Sequence, residues 1–366
     1  VVTTSIPCET ARAWVDVDLG ALVANARTVA EISGGRLLPM VKANGYGLGA
    51  VPVACALERL EPWGYGVATL EEGAELRRAG IVRPIVLFTP LLPDWLDRCL
   101  ELELRPSLGD LDMLQAWIAR SARPFHVEID TGMSRSGFRY DDAELTGAAA
   151  DVLRDAPGWE GVYTHFHSPE ADADATEEQW SRFQAAIARL PRRPALVHAA
   201  NSAAAVGGRR YTADLVRPGI FLYGGGATRP AARPAPQPVA ALHARVVALR
   251  QLQAGDTVSY GATWRAERPT TIATIAAGYA DGIPRAAGRG ARHVEVGGCI
   301  VPLAGRVAMD MIMVALPDDH GVALGDIATI WGGRVTLDQQ AEAAGTVAYE
   351  LLTMLGTRVP RRYLTA

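Results

Sequence analysis

The 366-residue sequence lacks the features that define several large classes of protein. Its four cysteines, Cys8, Cys55, Cys99 and Cys299, are scattered without a Cys-x-x-Cys pair, which excludes a zinc knuckle and a small disulfide scaffold and favours reduced thiols. No apolar run approaches the roughly 20 residues that span a bilayer, and residues 1–9 lack the basic residue and apolar run of a signal peptide. These absences predict a soluble, cytoplasmic protein.

The sequence also has no excess of charge of one sign. Its 36 Lys and Arg residues nearly balance its 40 Asp and Glu residues, so the formal net charge is −4, and the two signs are interleaved. This excludes the basic stripe of a nucleic-acid-binding protein and a polybasic membrane anchor. A small molecule is therefore the expected partner, and the length allows one large domain or a large domain with a smaller one.

Short β-type segments alternate with longer helical segments from about residue 14 to about residue 223, which is typical of βα units with a parallel sheet. The helical segments include residues 71–79 and 176–190, the second with Thr176 and Gln179 spaced as a capping box. Eight successive units predict an α/β fold with a (β/α)8 TIM-type barrel, and a doubly wound sheet is the alternative. The predicted strands are 37–41, 64–68, 85–88, 103–106, 125–130, 161–166, 196–199 and 214–217.

A stretch rich in Gly, Pro and Ala at residues 224–237 breaks both periodicities and indicates a domain boundary. After it, short alternating runs are separated by glycine-containing turns, which predicts a mostly antiparallel β domain, and residues 336–355 have a helical pattern. We therefore expect a barrel domain at residues 14–236 and a mostly β C-terminal domain at residues 237–366.

Lys42 is the first candidate for chemistry because it directly follows the predicted strand 37–41. Barrel enzymes place reactive groups at the carboxyl ends of their strands, and burial there lowers the pKa of a lysine toward that of a nucleophile or base that can form a Schiff base. The glycines that flank Tyr46 let the backbone approach a ligand closely. The alternative is an ordinary surface lysine at the end of a strand.

A second cluster lies at the predicted strand 125–130. Glu128 and Asp130 share one face of that strand by the two-residue period, and two carboxylates at a barrel mouth need a cation or a proton nearby. Arg135 is the natural partner. An ordinary ion pair at the rim of the barrel has the same sequence pattern.

Two groups of residues follow the later predicted strands. His165 and His167, at a spacing of two, could begin a metal site that Asp or Glu completes, so a barrel metal-dependent hydrolase is the main rival function. Ser202, Gly219 and Ile220 follow the last two strands, where barrels commonly bind phosphate. A phosphate-bearing ligand fits this part of the sequence better than a bare metal.

Ordered motifs over both predicted domains carry a resemblance to one known family. They are RAWVDVDL at 12–19, VKANGYG at 41–47, DTGM at 130–133, THF at 164–166, NSA at 201–203, VRPGI at 216–220, SYG at 259–261, GYADG at 278–282 and MD at 309–310. With these motifs the sequence resembles alanine racemase, a fold-type III pyridoxal-phosphate enzyme, nearly from end to end. The resemblance implies an isomerase that makes D-alanine, a peptidoglycan precursor.

The resemblance implies that Lys42 holds pyridoxal 5′-phosphate covalently, and that residues 1–13 pack with the C-terminal domain. It implies that His165 packs against the pyridine ring and that Arg217 faces the ring nitrogen. An arginine does not readily give up its proton, so that nitrogen stays unprotonated and the cofactor is a weaker electron sink. The implied cofactor-binding residues are Lys42, Tyr46, His165, Asn201, Ser202, Arg217, Gly219 and Ile220.

Racemisation needs a proton-transferring group on each face of the planar carbanion, and the resemblance implies Lys42 and Tyr260 for these roles. It also implies a homodimer in which Tyr260 and the Met309 loop come from the partner subunit. Arg135 and the Met309 amide are the implied ligands of the substrate carboxylate. The implied lining of the access channel is Tyr279, Arg285 and Arg306.

The sequence departs from the family pattern at three positions. Glu128 stands where many members carry a carbamylated lysine, so we expect its carboxylate to orient Arg135 directly. Thr357 stands where a tyrosine usually narrows the substrate pocket, which predicts tolerance of serine or a somewhat larger amino acid. Leu48 replaces a common histidine, with no predicted consequence.

Other functions remain as alternatives at the level of sequence. One is a racemase with main specificity for serine or another amino acid. A non-catalytic pyridoxal-phosphate carrier would explain Lys42 but would need neither a second domain nor Tyr260. A decarboxylase on a related barrel and the metal-dependent hydrolase with His165 and His167 are the remaining alternatives.

Overall fold

The computed structural model describes residues 10–142, 147–226, 234–288 and 292–364. Its first elements are strand β1 (Ala13–Asp18) and helix α1 (Leu19–Ser33), which begins where the Asp18 carboxylate accepts from Ala21 N–H at 2.8 Å. The strands that follow, up to residue 226, are β2 (Arg36–Leu37), β3 (Tyr65–Val67), β4 (Ile85–Leu87), β5 (Arg105–Leu108), β6 (Phe125–Asp130), β7 (Phe138–Arg139), β8 (Trp159–Tyr163), β9 (Leu196–Asn201) and β10 (Leu215–Arg217).

Eight of these strands form a closed parallel barrel. They pair in the order β2-β10-β9-β8-β6-β5-β4-β3, and Met40, just after β2, bridges Gly66 in β3 to close the ring. Across this seam Val41 N–H donates to Gly66 O and Gly66 N–H donates to Pro39 O, both at 2.9 Å. The barrel prediction is confirmed, since each predicted strand overlaps an observed one and the closed ring excludes a doubly wound sheet.

The helices of this half of the chain are α2 (Lys42–Tyr46), α3 (Ala50–Leu57), α4 (Leu70–Arg78), α5 (Leu96–Glu101), α6 (Leu111–Arg120), α7 (Ala148–Arg154), α8 (Ala173–Ala188) and α9 (Ser202–Ala205). Helix α4 begins with a capping box between Thr69 and Glu72. The capping box predicted at Thr176 is wrong, because α8 begins a turn earlier, where the Asp172 carboxylate accepts from Ala175 N–H at 2.9 Å. In the described ranges no helix is long and apolar enough to cross a membrane.

The C-terminal part of the chain forms a second, mostly antiparallel sheet, as predicted. Its strands from this part of the chain are β11 (Ala240–Leu252), β14 (Thr270–Ile275), β15 (His293–Val296), β16 (Cys299–Pro302), β17 (Ile312–Ala315), β18 (Ile327–Trp331) and β19 (Arg361–Leu364). Strands β12 (Thr257–Val258) and β13 (Trp264–Arg265) pair with each other in a separate two-stranded sheet. The long strand β11 pairs with β1, β14 and β18 and so lies at the centre. The helical pattern at 336–355 forms two helices, α10 (Leu337–Ala343) and α11 (Ala348–Thr353).

Strand β1 belongs to this second sheet and not to the barrel. It pairs antiparallel with β11 and parallel with β19, near the end of the chain. The elements of the barrel therefore begin with α1 at Leu19, which corrects the predicted boundary at residue 14. The eight predicted strands do not include this segment, and its partners β11 and β19 are distant along the chain. Residues 1–9 of the implied N-terminal segment lie outside the described residues.

A buried carboxylate connects the two ends of the chain in the C-terminal domain. The Asp281 side chain is 0% exposed and bonds with Arg12 at 2.5 Å and with Arg358 at 2.8 Å. It also accepts from Gly278 N–H at 2.8 Å, and Arg358 forms a second ion pair with Asp310 at 2.7 Å. The loops that carry the GYADG and MD motifs are thereby attached to both termini.

We expect Asp281→Asn to lower the free energy of unfolding by about 2–3 kcal/mol, because asparagine removes the charge that two arginines bond. Urea unfolding at fixed protein concentration measures this change. Asp318→Asn is the control, since the Asp318–Arg268 pair is exposed on both sides and such pairs contribute less than about 1 kcal/mol. Equal, small effects at the two positions would contradict a stabilising role for the buried network.

Candidate active site

The short element α2, after β2, is a left-handed turn rather than a right-handed helix, and it carries Lys42 and Tyr46. Ala43, Asn44, Gly45 and Tyr46 have φ angles of 53°, 53°, 60° and 54°. The left-handed conformation costs an L-residue other than glycine roughly 1–2 kcal/mol, so surrounding contacts must balance this strain. Backbone strain that persists in a folded protein is characteristic of functional sites.

Contacts from both domains hold this turn. Glu72 Oε1 accepts from Ala43 N–H at 2.6 Å, and Glu72 Oε2 accepts from Ala68 N–H at 2.8 Å, so one carboxylate attaches the turn to the start of α4. From the C-terminal domain, Arg361 Nε donates to Gly47 O at 2.9 Å. The last strand of the chain therefore supports the segment that presents Lys42.

The surroundings of Lys42 make its amine easier to deprotonate. Burial lowers the pKa of Lys42, and the positive charges of Arg135 and Arg217 lower it further, whereas Glu72 opposes the change. A neutral amine is the form that adds to a carbonyl group or accepts a proton. This environment favours a reactive lysine over the alternative of an ordinary surface lysine.

Lys42 faces a cavity of about 400 Å³ at the carboxyl ends of the barrel strands. Many of the residues singled out in the sequence line it together, namely Lys42, Tyr46, Arg135, His165, Asn201, Ser202, Arg217, Gly219 and Ile220. They follow different strands, and the closure of the barrel brings them to one place. Asn201 also caps α9, since its side-chain oxygen accepts from Ala204 N–H at 3.2 Å.

One part of the cavity wall is suited to bind an anion. Ser202 Oγ accepts from the N–H groups of Gly219 at 2.8 Å and Phe221 at 3.3 Å, so its own hydroxyl hydrogen is available to donate elsewhere. Among the described residues, Ile220 N–H has no hydrogen-bond partner. A Cβ at Gly219 would lie 2.2 Å from Tyr46 Oη, so glycine is required for the tyrosine hydroxyl to reach this place. Converging donors of this kind are typical of phosphate sites.

Arg217 is buried in the cavity wall with most of its donors in use. Its Nη2 donates to Thr164 O at 2.7 Å and Ala199 O at 3.0 Å, and it lies 3.3 Å from His165 Nδ1. Its Nη1 donates to His198 Nδ1 at 2.8 Å. Within the part of the chain that the structure describes, its Nε–H has no partner. Burial lowers the pKa of Arg217 to about 10, so the guanidinium keeps its charge at neutral pH.

Glu128 is buried beside the cavity, but the predicted ion pair with Arg135 does not form in the described part of the chain. The carboxylate accepts from Ser136 Oγ at 2.8 Å and also bonds with Tyr163. Burial raises the pKa of Glu128, and these two bonds and the charge of Arg135 offset the rise only partly. Asp130 bonds backbone N–H groups of its own turn. Arg135 is therefore exposed at the cavity without the direct support that we expected from Glu128.

Helix α11 forms part of the cavity wall, which the sequence patterns did not predict. Tyr349 and Thr353, four residues apart on one helix, line the cavity together with Val347. The Tyr349 ring lies 6.1 Å from the Tyr46 ring. Thr357, which we predicted beside the substrate, is exposed and does not line the cavity. The spacing of Tyr349 and Thr353 in a helical pattern is the signal that could have revealed this wall.

Other predicted residues form a separate exposed cluster on the C-terminal domain. Tyr260 is 69% exposed and Met309 is 51% exposed, and neither lines the cavity. The N–H that follows Tyr279 donates to Met309 O at 3.0 Å, and Ser259 Oγ, next to Tyr260, donates to Arg306 O at 2.7 Å. The structure thus groups these motifs with one another, outside the cavity that Lys42 of the same chain faces.

The remaining two predicted residues lie on the surface. Arg285 is exposed in the short helical turn Arg285–Gly288 and does not line the cavity. His167 is exposed and its Nδ1 bonds with Ser168 Oγ, whereas His165 lies in the cavity. Across the described ranges, no group of three His, Cys, Asp or Glu side chains is placed to hold a metal ion. The two histidines of the rival hypothesis are therefore not parts of one such cluster.

Family models match nearly all of the chain. The model described as alanine racemase, N-terminal domain, matches residues 17–227, and the one described as alanine racemase, C-terminal domain, matches residues 239–363. The chain belongs to the alanine racemase family. It is 39% identical over 356 residues to an alanine racemase of Deinococcus radiodurans, covering 96% of this chain and 99% of that protein. It is 41% identical over 363 residues to one of Azoarcus sp., covering 95% and 98%.

Solved alanine racemase structures share this two-domain fold. The enzyme from D-cycloserine producing Streptomyces lavendulae has a TM-score of 0.88 at 36% identity, and the match covers 97% of each chain. The enzyme from Bartonella henselae, described with covalently bound pyridoxal phosphate, has a TM-score of 0.89 at 30% identity, covering 97% of this chain and 100% of that one. As a member of the alanine racemase family, the chain is an enzyme.

We expect the free energy of unfolding to fall as the pH decreases below about 6.5. Burial lowers the pKa of His126, His165 and His198 in the folded state, so below about pH 6.5 the unfolded chain binds protons that the folded chain does not. These three protons contribute at most about 4 kcal/mol per pH unit to the slope, and His243, whose pKa burial also lowers, adds at most about 1.4 kcal/mol per pH unit. Urea unfolding between pH 5.5 and 7.5, at fixed protein and cofactor concentration, measures it.

The reference for this titration is the wild-type chain, unfolded in the same series of buffers. His126→Asn should reduce the slope, since one of the three buried rings is removed. A wild-type stability that does not change over this pH range would contradict the interpretation.

Proposed function

We propose that this chain interconverts L-alanine and D-alanine with pyridoxal 5′-phosphate bound through Lys42, in a homodimer whose active sites each combine residues of two subunits. Alanine racemisation is the activity that names its family. The observation that carries the proposal is the cavity itself. It contains a buried lysine with a lowered pKa, a cluster of donors for an anion and an arginine whose Nε–H has no partner among the described residues.

The residues of the cavity fit this cofactor. Its phosphate requires several hydrogen-bond donors, and Ser202, Tyr46 and the N–H of Ile220 supply them. Its aldehyde requires an amine that is neutral at moderate pH, and the environment of Lys42 shifts the amine in that direction. The Nε–H of Arg217 would donate to the ring nitrogen. The Bartonella henselae relative, described with covalently bound pyridoxal phosphate, supports this assignment.

Bound at Lys42, pyridoxal 5′-phosphate supplies a conjugated system that stabilises the negative charge left when an amino acid loses its α-proton. The task of Arg217 is then to hold its own proton at Nε, because transfer to the ring nitrogen would make the cofactor a stronger electron sink. Its pKa of about 10 is well above neutral pH, so it donates a hydrogen bond without giving up the proton. Because Arg217 keeps its proton, return of a proton to the α-carbon is favoured over side reactions.

Two residues move protons at the α-carbon from opposite faces. Lys42 Nζ takes or returns the proton on one face and serves the D-enantiomer, and Tyr260 Oη of the partner subunit does so on the other and serves the L-enantiomer. The support for a partner is that Tyr260 is 69% exposed and lies outside the cavity of its own chain. Met309 and Tyr279 are also large exposed side chains, which are typical of a contact surface.

The substrate carboxylate is held by Arg135 at the mouth of the cavity and by the Met309 amide of the partner subunit. Tyr279, Arg285 and Arg306 of the partner subunit line the access channel. Tolerance of serine stays a prediction, but Thr357 no longer supports it, because this side chain does not line the cavity. Tyr349 is the ring that occupies the neighbouring wall.

Proton NMR in deuterated water tests the proposed reaction. We expect purified holoenzyme to remove the α-proton signal of L-alanine and to form D-alanine, identified by chiral chromatography, because each face of the α-carbon meets a separate base. L-serine in a parallel sample measures the breadth of specificity. Exchange of the α-proton without formation of D-alanine would mean that a single base acts on one face of the α-carbon. The absence of exchange with either substrate would refute the proposed reaction.

Mixing two inactive variants tests the shared active site. Lys42→Ala and Tyr260→Phe should each lower kcat by at least about 100-fold, since each removes one proton-transferring group. After the two are unfolded and refolded together, half of the dimers combine one chain of each kind, and one of their two sites is intact. We therefore expect recovery of about 25% of the wild-type activity. Each variant refolded alone is the control, and no recovery in the mixture would contradict a site built from two subunits.

A further inference from the structure

A chain of buried polar side chains crosses the interior of the barrel, away from the anion-binding wall. Arg217 Nη1 lies 2.8 Å from His198 Nδ1, and His198 Nε2 lies 2.8 Å from His126 Nδ1. His126 Nε2 lies 3.2 Å from a carboxylate oxygen of Glu160, which forms an ion pair with Arg105 at 2.7 Å. This series of side chains begins at Arg217 in the cavity wall and ends at Glu160, the second residue of β8. The last residue of β8, Tyr163, lines the cavity, so Glu160 lies toward the opposite end of the barrel.

The hydrogen bonds between these side chains can run in only one direction, from Arg217 to Glu160. A guanidinium has no acceptor, so Arg217 donates and His198 Nδ1 accepts. A neutral His198 then has its proton on Nε2 and donates to His126 Nδ1. A neutral His126 likewise has its proton on Nε2 and donates to the Glu160 carboxylate, which only accepts. A donor fixed at one end and an acceptor at the other thus select the same tautomer for both rings.

Both histidines are kept neutral by their surroundings. Burial lowers the pKa of each, and the positive charge of Arg217 lowers both further, while Glu160 raises that of His126. The rings pack against aromatic side chains, with Trp63 5.6 Å from His126 and Tyr163 stacked 5.0 Å from His198. Glu160 is the acceptor that the described structure provides for the outer end of the pair.

We propose that Glu160 is a positioning residue for Arg217, acting through the tautomers of His126 and His198 from the end of the barrel remote from the cavity. Without the carboxylate, Arg217 still favours the Nε2–H forms, but the N–H of His126 Nε2 has no acceptor, so the preference over the reversed pair of tautomers is smaller. In the molecules with reversed tautomers, His198 would present an N–H to a donor of Arg217, and one of the bonds that hold the guanidinium would be lost. The role of Arg217 toward the cofactor rests on the proposed function, whereas the tautomers do not.

NMR measures directly which ring nitrogens of the two histidines carry protons. The chain has seven histidines, so selective 15N-histidine labelling gives few signals, and His126→Phe and His198→Phe assign the two of interest. In the wild-type holoenzyme at pH 7.5 we expect two-bond proton–nitrogen spectra to show both rings protonated at Nε2 only. The same pattern is expected before cofactor is added. A wild-type His198 protonated at Nδ1, or at both nitrogens, would overturn the proposal without any variant of Glu160.

Two variants of Glu160 distinguish the loss of a hydrogen-bond acceptor from a change in the side chain alone. Glu160→Gln keeps an acceptor oxygen and should retain both tautomers. Glu160→Leu removes it and should place the proton of His198 on Nδ1 in a measurable part of the molecules, since Arg217 alone then favours the Nε2–H form. Glu160→Leu should also lower kcat about 10-fold with little change in KM. An effect of this size is typical of residues that orient the groups of an active site through hydrogen bonds. Unaltered tautomers in Glu160→Leu would overturn the proposal.

Glu295→Leu is the matched control. Glu295 pairs with Arg334 and its side chain is 27% exposed, against 23% for Glu160, but no histidine bonds to it. This variant should keep the tautomers and kcat of the wild type, and a change as large as that in Glu160→Leu would refute a specific role for Glu160. A failure of the racemase proposal has a different signature, namely no α-proton exchange in the wild type with the tautomers unchanged.

Discussion

The burial of a charged guanidinium inside the barrel constrains much of the rest of the structure. Arg217 is 3% exposed, and this is tolerable because Thr164 O, Ala199 O and a His198 nitrogen accept its hydrogens. Thr164 directly follows β8, and His198 and Ala199 lie within β9, which pairs with β8 and with β10, the strand that carries Arg217. Such barrels are usually filled by branched aliphatic side chains, but here polar rings occupy interior positions to satisfy one cation.

The left-handed turn after β2 is a second constraint, and it makes the site depend on both domains. Positive φ angles at Ala43, Asn44 and Tyr46 are costly, and bonds from Glu72 in the barrel and Arg361 in the C-terminal domain hold the turn. Arg361 begins β19, which pairs with β1, and β1 pairs with the long strand β11. The order of the second sheet therefore supports the segment that presents Lys42 in the first.

Patterns over a few residues were sufficient to predict the barrel and many residues of its cavity. Strands β3 and β4 are buried at every position, so they are visible as apolar runs without knowledge of their partners. Lys42, Ser202 and Gly219 stand shortly after such runs. The carboxyl ends of the parallel strands lie at one end of the barrel, so the positions of these three residues in the sequence were sufficient to place them in one cavity.

Partners distant along the chain could not be predicted in this way. Strand β1 is not among the predicted strands, and its pairing with β11 and β19 places it in the second sheet. Glu128 bonds with Ser136 and not with Arg135, and Tyr349 and not Thr357 lines the cavity. The order of residues established the elements and the chemical groups at their ends, since these depend on local backbone preference and on the period of burial. The partners of those groups were established by packing, because burial and hydrogen bonding act between neighbours in space.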